Sequence, residues 1–282
     1  MQDILLIADS GSTKTDWLLL NSQEGTQSLI KTQGINPFML TEEQIEQLLQ
    51  SDLLCNPHFV QPTAVRFYGA GCRGEQCDTL KRIISRLMPK AAGNIVVGSD
   101  LVGAAHALCG ETDGIACILG TGSNSGLYID GKIVCNVSPL GYILGDEGSG
   151  AVLGRRLVGD VLKKQLPSNL CKVFEENFRM TSDEIVARVY KQPFANRFLA
   201  SFVPFLHTHK AETPIRTLLI EEFSRFFERN VSQYERPDLP VSFVGSVAYF
   251  FREELEEAAV RCGFKVGKIL QSPLDGMKKP WS

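Results

Sequence analysis

Three stretches of this 282-residue chain combine glycine with hydroxyl side chains directly after an apolar run. The first is Asp9-Ser10-Gly11-Ser12-Thr13-Lys14-Thr15, entered from Ile4-Leu5-Leu6-Ile7-Ala8 and left through Trp17-Leu18-Leu19-Leu20. Gly11 lets the backbone approach a ligand, and Ser10, Ser12, Thr13 and Thr15 add hydroxyl donors to the main-chain N–H groups, a concavity suited to phosphate oxygens. Asp9, at the end of the incoming strand, can hold a hydrated metal ion beside them. It is not a Walker A loop, because Lys14 follows Thr13 where that motif needs glycine, and a strand follows where it needs a helix. An ordinary hairpin with a polar turn explains the stretch equally well. The second stretch is Gly120-Thr121-Gly122-Ser123-Asn124-Ser125, and the third is Gly245-Ser246 after a buried strand. The first two make sense as two grips on one polyphosphate, since a single turn rarely supplies enough donors. Backbone at Gly245 and Ser246 can pack on an adenosine, although a plain strand-to-helix turn also accounts for it.

Acids stand at two further strand or loop ends. Asp100 ends a strand and opens a helix. It can cap that helix, with help from the helix dipole, or stand as a carboxylate that takes a proton from an attacking hydroxyl. Asp146 and Glu147 lie between glycines in Gly145-Asp146-Glu147-Gly148-Ser149-Gly150, where they can cap the next helix or accept from paired sugar hydroxyls. Asn36, in Gly34-Ile35-Asn36-Pro37, is a turn former unless a binding cleft lies beside it. His106 sits on an apolar helix face and is expected to be packed.

The elements that position these residues alternate. Strands are expected over 4–9, 14–20, 26–32, 64–68 and 94–98, with helices over 41–53, 78–88 and 101–108. Thr41 with Gln44 has the capping-box spacing. The glycine-flanked segment 110–114 is the best boundary, giving domains 1–112 and 113–282. Beyond it the opening pattern returns as strand, glycine-hydroxyl loop, strand, the Asp130-Gly131 turn, and strand. Helices follow across 151–165, 172–178, 182–190, 195–205, 215–230 and 247–262, with strands at 240–244 and 264–269. Strand and helix alternating after an antiparallel start indicate an α/β protein of mixed sheets with flanking helices.

Composition agrees with an ordinary soluble protein: 44% hydrophobic, 22% charged, formal net charge −3. There is no basic block to meet nucleic acid or an anionic membrane. The first apolar run is too short for a membrane span and lacks a basic lead-in. None of the eight cysteines forms a Cys-x-x-Cys pair, and the four histidines do not sit among them at zinc-ligand spacing. A reduced, cytoplasmic protein is the expectation.

Asp9-Ser10-Gly11-Ser12-Thr13-Lys14-Thr15, Leu119-Gly120-Thr121-Gly122-Ser123 and Val244-Gly245-Ser246-Val247-Ala248 resemble the two phosphate motifs and the adenosine motif of the actin-like ATPase superfamily. Within it the chain is similar to N-acetylglucosamine kinases and to the related activating ATPases of benzoyl-CoA reductase and 2-hydroxyacyl-CoA dehydratases. Leu144-Gly145-Asp146-Glu147-Gly148-Ser149-Gly150 is the most specific match and points to the sugar kinases. The likeness implies two RNase H-like domains flanking a cleft that closes on substrate, with the chain's tail packing back on the first domain. It implies ATP and Mg2+ as cofactors and transfer to the 6-hydroxyl of an amino sugar, N-acetylglucosamine first. In it Asp100 matches the catalytic base, and Asp9 the magnesium-orienting acid, acting through water. Gly11, Ser12, Thr13, Lys14, Thr15, Gly120, Thr121 and Gly122 match the phosphate loops, and Gly245 and Ser246 the adenosine pocket. Asn36, Thr121, Asp146 and Glu147 match sugar contacts. Two rivals stay open. One is an activating ATPase holding an iron–sulfur cluster between two subunits, for which Cys135 and Cys171 lack a glycine-rich cluster context. The other is a sugar- or nucleotide-binding regulator without turnover. A homodimer is compatible with any of these.

Overall fold

The computed structural model describes residues 4–11 and 14–277. It divides into two compact units, Met1–Ala107 with Pro273–Ser282, and Leu108–Ser272.

In the first unit the opening apolar runs form β1 (Ile4–Ser10) and β2 (Lys14–Asn21), followed by β3 (Thr26–Gln33), β4 (Ala64–Gly69) and β5 (Ile95–Ser99). Their order is β3-β2-β1-β4-β5. The first three pair antiparallel as a meander, and β4 and β5 add on parallel to β1. Parallel pairing needs a crossover, which 42–54 and α2 (Glu75–Leu87) supply. The expected capping box of Thr41 and Gln44 is formed at α1 (Glu42–Leu48). The helix expected to run on to 53 widens instead into a π turn over Leu49–Leu54, which buries both Leu49 and Leu53. Helix α2 starts three residues earlier than the pattern suggests. Gly74, at φ 49°, breaks the preceding chain, and Glu75 and Asp78 then both fall in the first turn, where the helix dipole favours acids. Helix α3 (Asp100–Cys109) follows β5 directly.

The second unit repeats the scheme. Its strands are β6 (Gly114–Leu119), β7 (Ser123–Ile129), β8 (Lys132–Cys135), β9 (Val241–Val244) and β10 (Val266–Leu270), in the order β10-β9-β6-β7-β8. Reading β6 for β1 and β9 for β4, the two sheets have one topology. The helices are α4 (Gly141–Leu144), α5 (Gly150–Leu162), α6 (Ser168–Phe178), α7 (Ser182–Lys191), α8 (Ala195–Ala200), α9 (Val203–Thr208), α10 (Thr213–Arg229), α11 (Ser246–Phe250) and α12 (Arg252–Arg261). Two helices expected as single pieces are broken. Pro204, which has no N–H to donate, sits in the first turn of α9 and separates it from α8. Phe251, with non-helical backbone, separates α11 from α12 while its own ring is fully buried. The short α13 (Pro273–Gly276) belongs to the first unit and packs against β1.

Each unit has its own core. That of the second is phenylalanine-rich, joining Phe174, Phe202, Phe223, Phe226, Phe227, Phe243 and Phe251. That of the first centres on Trp17 and Phe67, whose rings meet edge to face at 5.7 Å. All eight cysteines are free thiols. Among the described residues no helix is long and apolar enough to cross a membrane.

Trp17 anchors the strand that carries Asp16 and Thr15: it is fully buried, and its indole N–H donates to Thr32 Oγ1 at 2.9 Å. Trp17→Ala is expected to destabilise the protein by about 3–5 kcal/mol. A urea titration followed by circular dichroism reads this as a lowered midpoint, and an unchanged midpoint contradicts it.

Candidate active site

Parallel pairing sets Ser10 opposite Gly69 and Gly69 opposite Ser99, so the carboxyl ends of β1, β4 and β5 lie side by side. Ligands of open α/β sheets bind at such ends. Asp9 is there, cross-strand from Asp16 of β2. Its carboxyl is pushed up to about 6, first by burial, then by the charges of Asp16 and Asp100, with Lys14 opposing. Lys14 Nζ bonds Asp16 Oδ2 at 2.6 Å, while the buried Asp16 Oδ1 has no partner. Asp100 opens α3 and accepts from the Leu101 N–H at 2.9 Å. Burial raises its pKa, against the Leu101 N–H and the Arg73 guanidinium, which lower it.

The turn hydroxyls divide their work. Gly11 N–H closes the turn on Lys14 C=O at 2.9 Å. Ser10 Oγ shares a hydrogen bond with Thr15 Oγ1 at 2.7 Å, and Thr15 Oγ1 donates to Gln33 C=O at 3.1 Å. Ser10 Oγ also meets Ile35 C=O at 2.9 Å and accepts from Ile35 N–H at 3.0 Å. Ser10 and Thr15 are both buried, so their hydroxyls tie the 33–36 loop to the sheet. Ser12 and Thr13 lie outside the described residues. Asn36 Oδ1 accepts from Phe38 N–H at 3.0 Å and lies hard against Gly71, where a Cβ would come within 2.0 Å of it. A side chain there would displace the Asn36 carboxamide, and at φ +79° glycine is the comfortable residue. His106, expected to be packed, is so: Tyr68 Oη lies 2.9 Å from its Nδ1, and burial lowers its pKa.

In the second unit the turn after β6 docks on α5. Gly150 N–H donates to Gly120 C=O at 2.8 Å and Ala151 N–H to Thr121 C=O at 3.0 Å. Asp146, held at φ 53°, is buried beside Gly122 and accepts from Ser123 N–H at 3.4 Å. Its carboxyl is pushed up to about 6, chiefly by burial, with Ser123 N–H opposing and Glu147 adding. Glu147 is turned to the end of α10, where Arg229 Nε at 2.5 Å and Asn230 Nδ2 at 3.2 Å bond its two oxygens. Gly245, at φ +124°, lies flush on β6: a Cβ would stand 2.2 Å from Leu119 C=O. A cavity of about 400 Å³ opens beside it, lined by Gly120, Thr121, Ser246, Val203, His207, Phe250 and Phe251 among others.

No family model and no curated protein matches the chain. Solved structures do. The chain is 46% identical, over 97% of each chain and at TM-score 0.92, to the "putative N-acetylglucosamine kinase" of Porphyromonas gingivalis. The chain belongs to that family of the actin-like ATPase superfamily. Two remoter structures share the fold: the "putative N-acetylglucosamine kinase" of Chromobacterium violaceum, at 19% identity, 98% of each chain and TM-score 0.68; and a ROK family glucokinase of Streptomyces griseus, solved with glucose and AMPPNP, at 15% identity, 98% and 96% coverage and TM-score 0.58.

Within this N-acetylglucosamine kinase-like family fold, Asp9 lies at the end of β1, Lys14 starts the antiparallel β2 and Asp100 follows β5, with Asn36 beside Gly71; in the second unit Gly120, Thr121 and Gly122 follow β6 and Gly245 and Ser246 follow β9, with Asp146 beside Gly122. Among the described residues no three His, Cys, Asp or Glu side chains converge as a metal-ligand group. The set fits magnesium nonetheless. Mg2+ keeps most of its waters and takes one or two carboxylates plus phosphate oxygens. Asp9 and the unpartnered Asp16 Oδ1 offer that much, in a patch whose mutual repulsion a dication relieves. Sequence reasoning missed His207, Phe250 and Phe251 as cavity lining. The two phenylalanines fell inside a helix expected to run unbroken over 247–262. His207 carried no motif, and here its ring stands 5.3 Å from that of Phe250.

Because the Asp9 pKa lies above its ordinary 3.8, the folded state holds the extra proton between about pH 4 and 6. Stability contributed by this group is therefore lost as pH rises through that window, and the full cost of the buried charge is present at pH 7. Asp9→Asn is expected to raise stability at pH 7 by up to about 3 kcal/mol and to give a smaller gain at pH 4. Thermal unfolding at the two pH values measures the difference, and equal shifts contradict it.

Proposed function

We propose that the protein is an ATP- and magnesium-dependent kinase of an amino sugar, N-acetylglucosamine first, phosphorylating its 6-hydroxyl. The observation that carries this reading is the partly buried Asp100 carboxylate at the carboxyl end of β5, in electrostatic range of Asp9 on β1. A base and a cation-holding acid at adjoining strand ends suit a reaction that needs one proton removed and much negative charge neutralised. Family membership at 46% identity supports the same class.

In this reading Asp100 accepts the hydroxyl proton, and Asp9 holds hydrated Mg2+, which neutralises the phosphate charge. Gly11, Ser12, Thr13, Lys14, Thr15, Gly120, Thr121 and Gly122 form the phosphate turns. Backbone N–H groups do most of this work, because the Thr15 hydroxyl is already engaged. Gly245 and Ser246 present the adenosine to the 400 Å³ cavity, whose aromatic and aliphatic lining suits a purine face. Asn36, Thr121 and Asp146 bind the sugar. Glu147, bonded to Arg229 and Asn230, acts by fixing the loop that carries Asp146.

ADP release in the presence of a panel of hexoses, amino sugars and N-acetyl amino sugars tests the assignment, with N-acetylglucosamine expected to be the best acceptor. Asp100→Asn is expected to lower turnover by about 10²–10⁴-fold while ATP affinity stays within about threefold. Since burial raises the Asp100 pKa, the acid limb of the wild-type pH–rate profile is expected above the usual carboxylate range. Unchanged turnover in Asp100→Asn removes the base from its role.

A further inference from the structure

The loop between β4 and α2, Gly69-Ala70-Gly71-Cys72-Arg73-Gly74, is not used by the reading above, yet it touches each part of the first unit's edge. Ala70 N–H donates to Ser10 C=O at 2.9 Å. Gly71 lies against the Asn36 carboxamide. Parallel pairing of Gly69 with Ser99 sets the start of the loop beside the residue that precedes Asp100. By topology this loop occupies in the first sheet the place that the Gly245 turn occupies in the second.

The charges at this edge do not balance. Asp9, Asp16 and Asp100 interact repulsively, and Lys14 is committed to Asp16 at 2.6 Å. Arg73 is exposed, and among the described residues its guanidinium makes no hydrogen bond or ion pair. It is near enough to Asp100 to favour the ionised carboxylate. An arginine beside a base, left uncommitted, is placed to meet an anion that arrives with the substrate, and its planar fork matches phosphoryl oxygens.

We propose that Arg73 is a further catalytic residue of the phosphoryl transfer, its guanidinium donating to the equatorial oxygens of the migrating group next to Asp100. This rests on the kinase reading. In the step, the acceptor oxygen forms a bond to the γ-phosphorus while its proton passes to the Asp100 carboxylate. The bond from the γ-phosphorus to the bridging oxygen breaks, and its electron pair leaves on ADP. Negative charge on the migrating oxygens then stands close to Asp100, which repels it until it is protonated. Arg73 offsets that repulsion where charge is spread over three oxygens.

The test compares wild type, Arg73→Gln and Arg73→Lys in ADP release at saturating Mg2+ with the best acceptor sugar. Arg73→Gln is expected to lower kcat by about 10²-fold or more, with KM for ATP and sugar changed less than about threefold. Arg73→Lys, which keeps the charge but not the fork, is expected to recover at least tenfold of that loss. The melting temperature of Arg73→Gln, an exposed substitution, should stay at the wild-type value. A kcat within threefold of wild type, or a loss carried by KM alone, overturns the Arg73 assignment and leaves the kinase reading standing. A wild type that releases no ADP with any sugar overturns both.

Discussion

Removing a carboxylate from water is unfavourable unless hydrogen bonds or opposite charge arrive to compensate. In the first unit Asp9, Asp16 and Asp100 are drawn from three strand ends into mutual repulsion, with a single lysine held against one of them. The second unit buries Asp146 in a left-handed backbone conformation with one long N–H contact. Neither arrangement stabilises the protein as it stands, and strained or desolvated groups of this kind concentrate where ligands bind.

What holds these groups in place is backbone geometry. The turns after β1 and β6 are tied by main-chain hydrogen bonds, and the Ser10 and Thr15 hydroxyls are turned inward to fasten the 33–36 loop. Glycine at 245 lets its turn lie against the β6 backbone closer than any side chain permits, and glycine at 71 leaves room for the Asn36 carboxamide. Positioning comes from the sheet and its turns, while charge comes from a few side chains on them, a division suited to phosphoryl transfer.

The two strand–turn–strand openings were legible because a five-residue apolar run broken by glycine and hydroxyls is too short for a buried helix and suits a buried strand entering a tight turn. The matching strand orders follow from them. Asp100 was legible as the junction of a strand and a helix. Other features depended on tertiary contacts. The inward turn of Thr15 depends on Gln33, eighteen residues away, and the commitment of Glu147 depends on Arg229 and Asn230 in a distant helix. Pro204 offered a signal for its helix break that the expectation of one helix over 195–205 passed over. Phe251 offered none, because its backbone departs from the helix to bury a ring that by type alone suits a helix interior. Arg73 carries no signature of its own and gains meaning only from the strand that pairs Gly69 with Ser99.

The first unit is not contiguous. Leu274 and Met277 are buried in it, and α13 packs on β1, yet these residues leave the ribosome after the whole of the second unit. At roughly 5–20 residues per second, synthesis of that insertion takes on the order of ten seconds or more. For that time the nascent first unit lacks part of its apolar lining, so its core closes only after the second unit has been made.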